Sequence, residues 1–282
     1  MRLADRLVLG AALALVLSVP AFAADLPGKA KAQQPAPVEA EFGGWYLRGD
    51  TGVAIGHLGG VSSSFDAGFA VPGFTRDGNS LGRAAIIGAG IGYQFNSWFR
   101  ADVTGEWRSD QNYRASASWD DPACPGGRCT DNYTGKLQTN GLFLANAYLD
   151  LGTWSGITPY VGGGLGAGHT RFGALTDEGQ DPFGARYGGS PARSDWSFAW
   201  ALMAGADIEV SPNVSIDVGY RYTNLGAVRS GPIACEAPSV CGDEVHHADL
   251  SSHDVRIGLR WKFGVPMAAA EPEAAAPKVV KP

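Results

Sequence analysis

The stretch from Leu250 to Phe263 alternates two kinds of side chain. Val255, Ile257, Leu259, Trp261 and Phe263 hold the odd positions, and Asp254, Arg256, Gly258, Arg260 and Lys262 the even ones. A strand sends successive side chains to opposite faces, so this segment has one oily face and one charged face. The same alternation recurs over residues 44–56, 84–95, 98–109, 136–151, 195–210 and 214–224, with a glycine-rich stretch of ambiguous facing at 159–172. In the sixth of these eight segments every even position from Trp196 to Val210 is apolar. That is period two, not the 3.6 of a helix. Eight strands are predicted.

The connections narrow the architecture. After the second, fourth and sixth strands they are short: Asn96-Ser97, residues 152–158 and Ser211-Pro212-Asn213. After the first, third, fifth and seventh they run to roughly 22 to 28 residues, long for loops in a compact soluble domain. Strict alternation places every long connection at one end. The prediction is an all-β fold: an eight-stranded antiparallel transmembrane β-barrel with short periplasmic turns and four long external loops. Each segment is long enough to cross the apolar layer, which takes about 9 to 11 residues of tilted strand.

The flanks agree with that compartment. Arg2 and Arg6 precede an apolar run over residues 7–19 and the small-x-small site Ala21-Phe22-Ala23, the pattern of a secretory signal peptide over residues 1–23. Residues 24–41 and 265–282 are Pro/Ala-rich and too poor in apolar side chains to fold alone, which leaves 42–264 for the barrel. The formal net charge of −6 argues against nucleic acid as a partner. The four cysteines form two local pairs, Cys124/Cys129 and Cys235/Cys241. Each can close a small ring in an oxidising compartment, worth about 2 kcal/mol in the loop-entropy model. Their spacings match no common zinc pattern, and neither a metal nor a cofactor is expected.

With the oily face outward, the charged face lines an interior that eight strands leave only wide enough for side chains. Arg48, Arg100, Arg108, Lys136, Arg221, Arg256, Arg260 and Lys262 are then opposed there by Asp50, Asp102, Glu106, Asp150, Asp207, Glu209, Asp217 and Asp254. A buried unpaired charge is expensive, so this balanced set is expected to pair across strands and plug the lumen. A narrow channel is the competing reading. Trp45, Tyr93, Phe95, Trp98, Tyr220, Trp261 and Phe263 lie near strand ends, as aromatic girdles do.

Candidate chemistry is sparse. Ser251 and His253 share the outward face of the last strand, the elements of a nucleophile and base for a lipid-modifying enzyme. Asp254, the acid that would orient His253, points inward, so the triad is incomplete and no catalytic activity is predicted. His246 and His247 follow Asp243 and Glu244 and read as a solvated loop cluster. His169 reads as a lumen or rim residue. The glycines over 162–168 lack the spacing of a dinucleotide fingerprint and relieve strand crowding instead.

The stretches WYLRGDTGVAIG, IIGAGIGYQFNSWFRADVTGEW, TPYVGGGLGAG, VSIDVGYRYTNLG and HDVRIGLRWKFG, with the signal peptide, resemble the small outer-membrane β-barrel proteins of alphaproteobacteria. These are related to the OmpA membrane domain and the opacity proteins. The resemblance spans about residues 42–264 and is weak in the long connections. It implies a protein of the Gram-negative outer membrane that supports envelope integrity or serves as a surface antigen or adhesin. The partners it implies are outer-membrane lipid and lipopolysaccharide, periplasmic chaperones and the barrel-assembly machinery, with peptidoglycan or a host surface as further candidates. It also implies that Phe263 closes the assembly signal, although here a Pro/Ala-rich tail follows.

Overall fold

The computed structural model describes residues 43–64, 72–239 and 242–263. The predicted signal peptide, the two Pro/Ala-rich segments and Cys241 lie outside them. Eight long strands are present: β1 (Gly44–Ser63), β3 (Arg83–Gln94), β4 (Phe99–Arg108), β6 (Arg128–Asp150), β7 (Ile157–Phe172), β10 (Arg193–Ser211), β11 (Val214–Arg229) and β13 (His246–Phe263). Five shorter strands join them: β2 (Thr75–Leu81), β5 (Gln111–Asp120), β8 (Leu175–Asp181), β9 (Gly184–Ser190) and β12 (Ala234–Cys235).

This corrects the predicted eight-stranded closed barrel with four long loops. The thirteen strands form one sheet, ordered β12-β9-β8-β6-β4-β3-β1-β13-β11-β10-β7, with β5 and β2 branching from β6 and a further ladder between β6 and β7. Most of what read as loop is strand: β2 pairs with β5, β5 and β8 with the first half of β6, and β9 with β8 and β12. The reason lies in the environment of these hairpins. TRDGNSL is exposed along nearly its whole length, and QNYRASASWD, LTDEGQD and GARYGGS have water on one side and a largely polar interior on the other, so no hydrophobic alternation develops.

Along the long strands the predicted facing holds at the end with the short turns. Trp45, Leu47, Val53, Ile55, Ile87, Ile91, Val103, Leu149, Leu165, Leu202, Ile257 and Leu259 are all exposed apolar side chains. Their rows run from Trp45, Trp98 and Trp261 at one edge to Ile55, Trp107, Phe143 and Trp196 at the other. The ten steps from Trp45 to Ile55 span about 33 Å of strand, which suits the apolar layer of a membrane once tilted. The lower edge is an aromatic girdle: ring centroids lie 5.3 Å apart for Trp45–Tyr93, 5.1 Å for Tyr93–Phe95 and 5.8 Å for Trp261–Phe263. Phe263 ends β13 opposite Trp45.

Close approach of strands explains one glycine in the run at 162–168. A Cβ on Gly166 would run into the Phe143 carbonyl oxygen across the β6–β7 ladder.

Candidate functional site

The inner face of the membrane-level sheet is filled by ion pairs in three tiers. In the outer tier Asp254, fully buried, accepts hydrogen bonds from Arg108, Arg221, Ser252 and Thr223, and Glu106 takes the other sides of both arginines. In the middle tier Arg48 joins Asp50 at 2.7 Å, Asp102 at 3.0 Å and Asp217 at 3.7 Å, while Arg256 reaches Asp50 at 2.9 Å. In the tier nearest the short turns Arg100 pairs with Asp150 and Asp207, and Arg260 with Asp207 at 2.7 Å. Arg100 also lies over the rings of Tyr148 and Tyr160. These partners come from β1, β4, β6, β7, β10, β11 and β13, so the sheet wraps around them.

Thirteen of the sixteen predicted lumen charges are in these pairs. Lys262 is half-buried at the end of β13. Lys136 and Glu209 are corrections. Lys136 is exposed and pairs with Asp110 at 3.4 Å. A register shift between Thr139 and Gly141 reverses the facing of β6, so residues before it are buried at odd positions and those after at even ones. Glu209 is exposed beside a register shift at the short-turn end of β10.

Beyond the apolar belt the strands continue outward into an extension with its own buried polar cluster. Arg186 bridges two buried carboxylates, Asp177 at 2.7 Å and Asp131 at 3.1 Å. Tyr133 donates to Asp131 and to Glu244, each at 3.2 Å, and Ser63 donates to Glu244 as well. His246 Nε2 lies 3.3 Å from Glu244, its Nδ1 is 3.1 Å from the Tyr113 hydroxyl, and its ring meets Tyr133 at 4.3 Å. Glu244 and His246 are therefore buried and not a solvated cluster. The cause is that β13 begins at His246, so the inward-facing even positions extend further back than the apolar pattern showed.

Burial pushes Asp131 up to about 7, only partly offset by Arg186, and raises Asp177 as well. For Glu244 burial acts upward too, but hydrogen bonds from His246 and Ser63 outweigh it and hold the group below its ordinary value. A folded-state value raised above the unfolded one gives stability that is complete below about pH 4 and lost as the pH rises through about 7. The extension is therefore expected to open less often at pH 5.5 than at pH 8. Hydrogen exchange of β8 and β9, corrected for intrinsic rates, should show greater protection at the lower pH, and Asp131→Asn should flatten the difference. Equal or greater protection at pH 8 would contradict the assignment.

The outer surface of the extension is polar with isolated aromatics. A groove of about 340 Å³ is lined by Asn79, Ser80, Ser116, Asn132 and Thr134 among others. Phe183, at the tip of the β8–β9 hairpin, is 70% exposed and Tyr187 on the same hairpin 53%. The Cys124–Cys129 disulfide closes the β5–β6 turn as expected, with Cα atoms 5.4 Å apart. Cys235 is not free either.

Ser251 and His253 sit at the outer edge of the belt. His253 is exposed, with its Nδ1 2.5 Å from the Tyr220 hydroxyl, whereas Ser251 is buried between neighbours on β1 and β11. Asp254 faces inward and is bound to Arg108 and Arg221. His169 lies at the rim, its ring 5.0 Å from Trp196. No cluster of three or more metal-binding side chains occurs among the described residues.

An apolar belt outside, charges inside and strands that lengthen at one end define a β-barrel protein of the Gram-negative outer membrane. The chain belongs to the family described as outer membrane protein beta-barrel domain, whose model matches residues 9–263. It is 30% identical to an uncharacterised protein of Brucella suis biovar 1 (strain 1330), over 88% of this chain and 95% of that one. It is 26% identical to an opacity protein of Neisseria gonorrhoeae, over 61% of this chain and 76% of that one. Among solved structures, that of Neisserial surface protein A is 19% identical, covering 78% of this chain and 97% of that one with a TM-score of 0.36.

Proposed function

We propose that this protein is a surface-contact protein, an adhesin or ligand-capturing barrel whose outer extension meets an extracellular partner such as a host surface. The observation that carries this reading is the extension itself. It is built of paired strands, tied by a disulfide and organised around a buried Arg186–Asp131–Asp177 group, yet lies beyond the membrane, where the barrel does not need it. Ordered scaffolds that hold exposed aromatic side chains, such as Phe183 at the hairpin tip and Tyr187 on its β9 strand, suit binding, because aromatics supply large contact area at low entropic cost. The likeness to an opacity protein is in keeping with a surface role.

A second reading, support of the envelope, rests on the densely ion-paired interior, which makes a rigid plug. The same filling argues against conduction, and no single-channel current is expected in planar bilayers. Among the described residues His253 is held by the Tyr220 hydroxyl and not by a carboxylate, and the reading gives Ser251 and His253 no catalytic role. Phe263 remains the candidate assembly signal for the barrel-assembly machinery and its chaperones, and peptidoglycan a candidate partner on the periplasmic side.

The test expresses the full chain in a non-adherent Gram-negative host and counts bacteria bound to epithelial monolayers. Wild type should raise binding several-fold over empty vector, and the Phe183→Ser/Tyr187→Ser double variant should remove most of the gain at equal surface display. Binding no greater than vector, with the protein displayed, would sink the adhesion reading. Increased detergent sensitivity of a deletion strain in that event would favour envelope support.

A further inference from the structure

At the outer edge of the apolar belt, on the lipid-facing side of β6 and β7, the surface turns basic within one step. Lys136, Gln138 and Arg171, with Asp110 and Gly173, line a groove of about 210 Å³. Gln138 and Arg171 are partners across the β6–β7 ladder, and Arg171 faces Ser194 on β10. Two residues further down the same face of β7, about 7 Å along the strand, comes His169, paired with Trp196. Trp196 in turn stacks on Phe143 with ring centroids 6.2 Å apart. From the outside inward the order is therefore two cations, an aromatic layer, then bare aliphatic surface at Leu165 and Val161.

That order matches the profile of one leaflet. Aromatic side chains mark the level where acyl chains give way to headgroups, and charges immediately beyond them lie among those headgroups. Arg171 is exposed and has no carboxylate within ion-pair distance among the described residues. The 3.4 Å pair of Lys136 with Asp110 is exposed on both sides, with 65% and 45% of the side chains open to solvent, so it exchanges readily for a stronger anion. A guanidinium matches the oxygens of a phosphate group in a two-pronged hydrogen bond, and a neighbouring ammonium adds a second charge.

We propose that this groove binds the phosphorylated headgroup of an outer-leaflet glycolipid. Arg171 clasps the phosphate and Lys136 neutralises its second charge. The Gln138 amide reaches the adjoining sugar, and Trp196 and Phe143 lie against the first acyl segment. The site lies apart from the Phe183 hairpin tip, and it depends on the outer-membrane placement, not on the adhesion reading. Either can therefore fail alone.

The experiment measures lipid retained by the refolded full-length protein in nanodiscs doped with diphosphorylated lipid A or its fully dephosphorylated counterpart, read by native mass spectrometry. Wild type should retain the diphosphorylated lipid at least five-fold more than the dephosphorylated one. Lys136→Ala/Arg171→Ala should lose that preference while keeping its heat-modifiable migration, and Arg128→Ala, at an exposed arginine eight residues further out on β6, should behave as wild type. Equal retention of the two lipids by wild type, or an unchanged preference in the double variant, would overturn the proposal. So would displacement by millimolar inorganic phosphate, which would reassign the groove to the free ion.

Discussion

Asp254→Ala is expected to destabilise the barrel by about 3–5 kcal/mol, the cost of leaving buried charges without their counter-ion. Asp254 is fully enclosed and shared by Arg108 and Arg221, so among the described residues its loss leaves both guanidinia one carboxylate, Glu106, with Ser252 still accepting from Arg108. The refolded variant should unfold at markedly lower urea concentration in phospholipid vesicles. Asp254→Asn, which keeps the shape and part of the hydrogen bonding, should retain some of the loss because the charge is still missing. An unfolding midpoint for Asp254→Ala within error of wild type would mean that water replaces the carboxylate and that the interior is wetter than its packing implies. Replacing Asp254, Glu106, Arg108 and Arg221 together with apolar side chains of similar volume should cost less than the single substitution, since the penalty comes from unpaired charge and the four charges cancel.

The second large effect concerns the outer face. Val103 lies midway between Phe99 and Trp107 on β4, beside Ile91 on β3 and Ala145 on β6, and is 58% exposed. In water Val103→Arg would be harmless or favourable. In the bilayer midplane a barrel pays about 2–4 kcal/mol for a lipid-facing arginine, falling toward zero near the interfaces. Unfolding from phospholipid vesicles should therefore show a large loss for Val103→Arg and almost none for Thr134→Arg, which is exposed on the extension. Similar values for the two would mean that the belt does not sit in lipid.

The spanning part of the fold was legible because two solvents impose opposite demands on alternate residues. Lipid requires Val255, Ile257 and Leu259 outward, and the narrow interior requires Asp254 and Arg256 to find partners, so the pattern is strict. The extension was not legible, because that contrast disappears there. In β8 and β9 the buried positions include Asp177, Asp181, Arg186 and Ser190, chemically no different from their exposed neighbours. Lys136 was misassigned for a different reason: a single bulge near Asn140 reverses the parity of β6, and alternation counted straight through it carries the error along. Leu137 and Phe143 hid the shift, because both are apolar and an even number of residues apart, yet the first is fully buried and the second exposed. His246 and Glu244 were missed because the last strand was counted from its apolar residues, whereas it begins in polar ones.

A surface role requires the extended end of the strands to face the outside of the cell, and single cysteines at the two ends decide it. Phe183→Cys places a thiol at the tip of the β8–β9 hairpin and Asn213→Cys places one in the exposed β10–β11 turn. The native Cys124–Cys129 pair is bonded and should stay silent. A membrane-impermeant maleimide applied to intact cells should label Cys at 183 fully and Cys at 213 only after the outer membrane is permeabilised. Labelling at 213 but not at 183 on intact cells would put the extension in the periplasm and end the surface-contact reading. Equal labelling of both in a soluble periplasmic fraction would remove the protein from the membrane altogether.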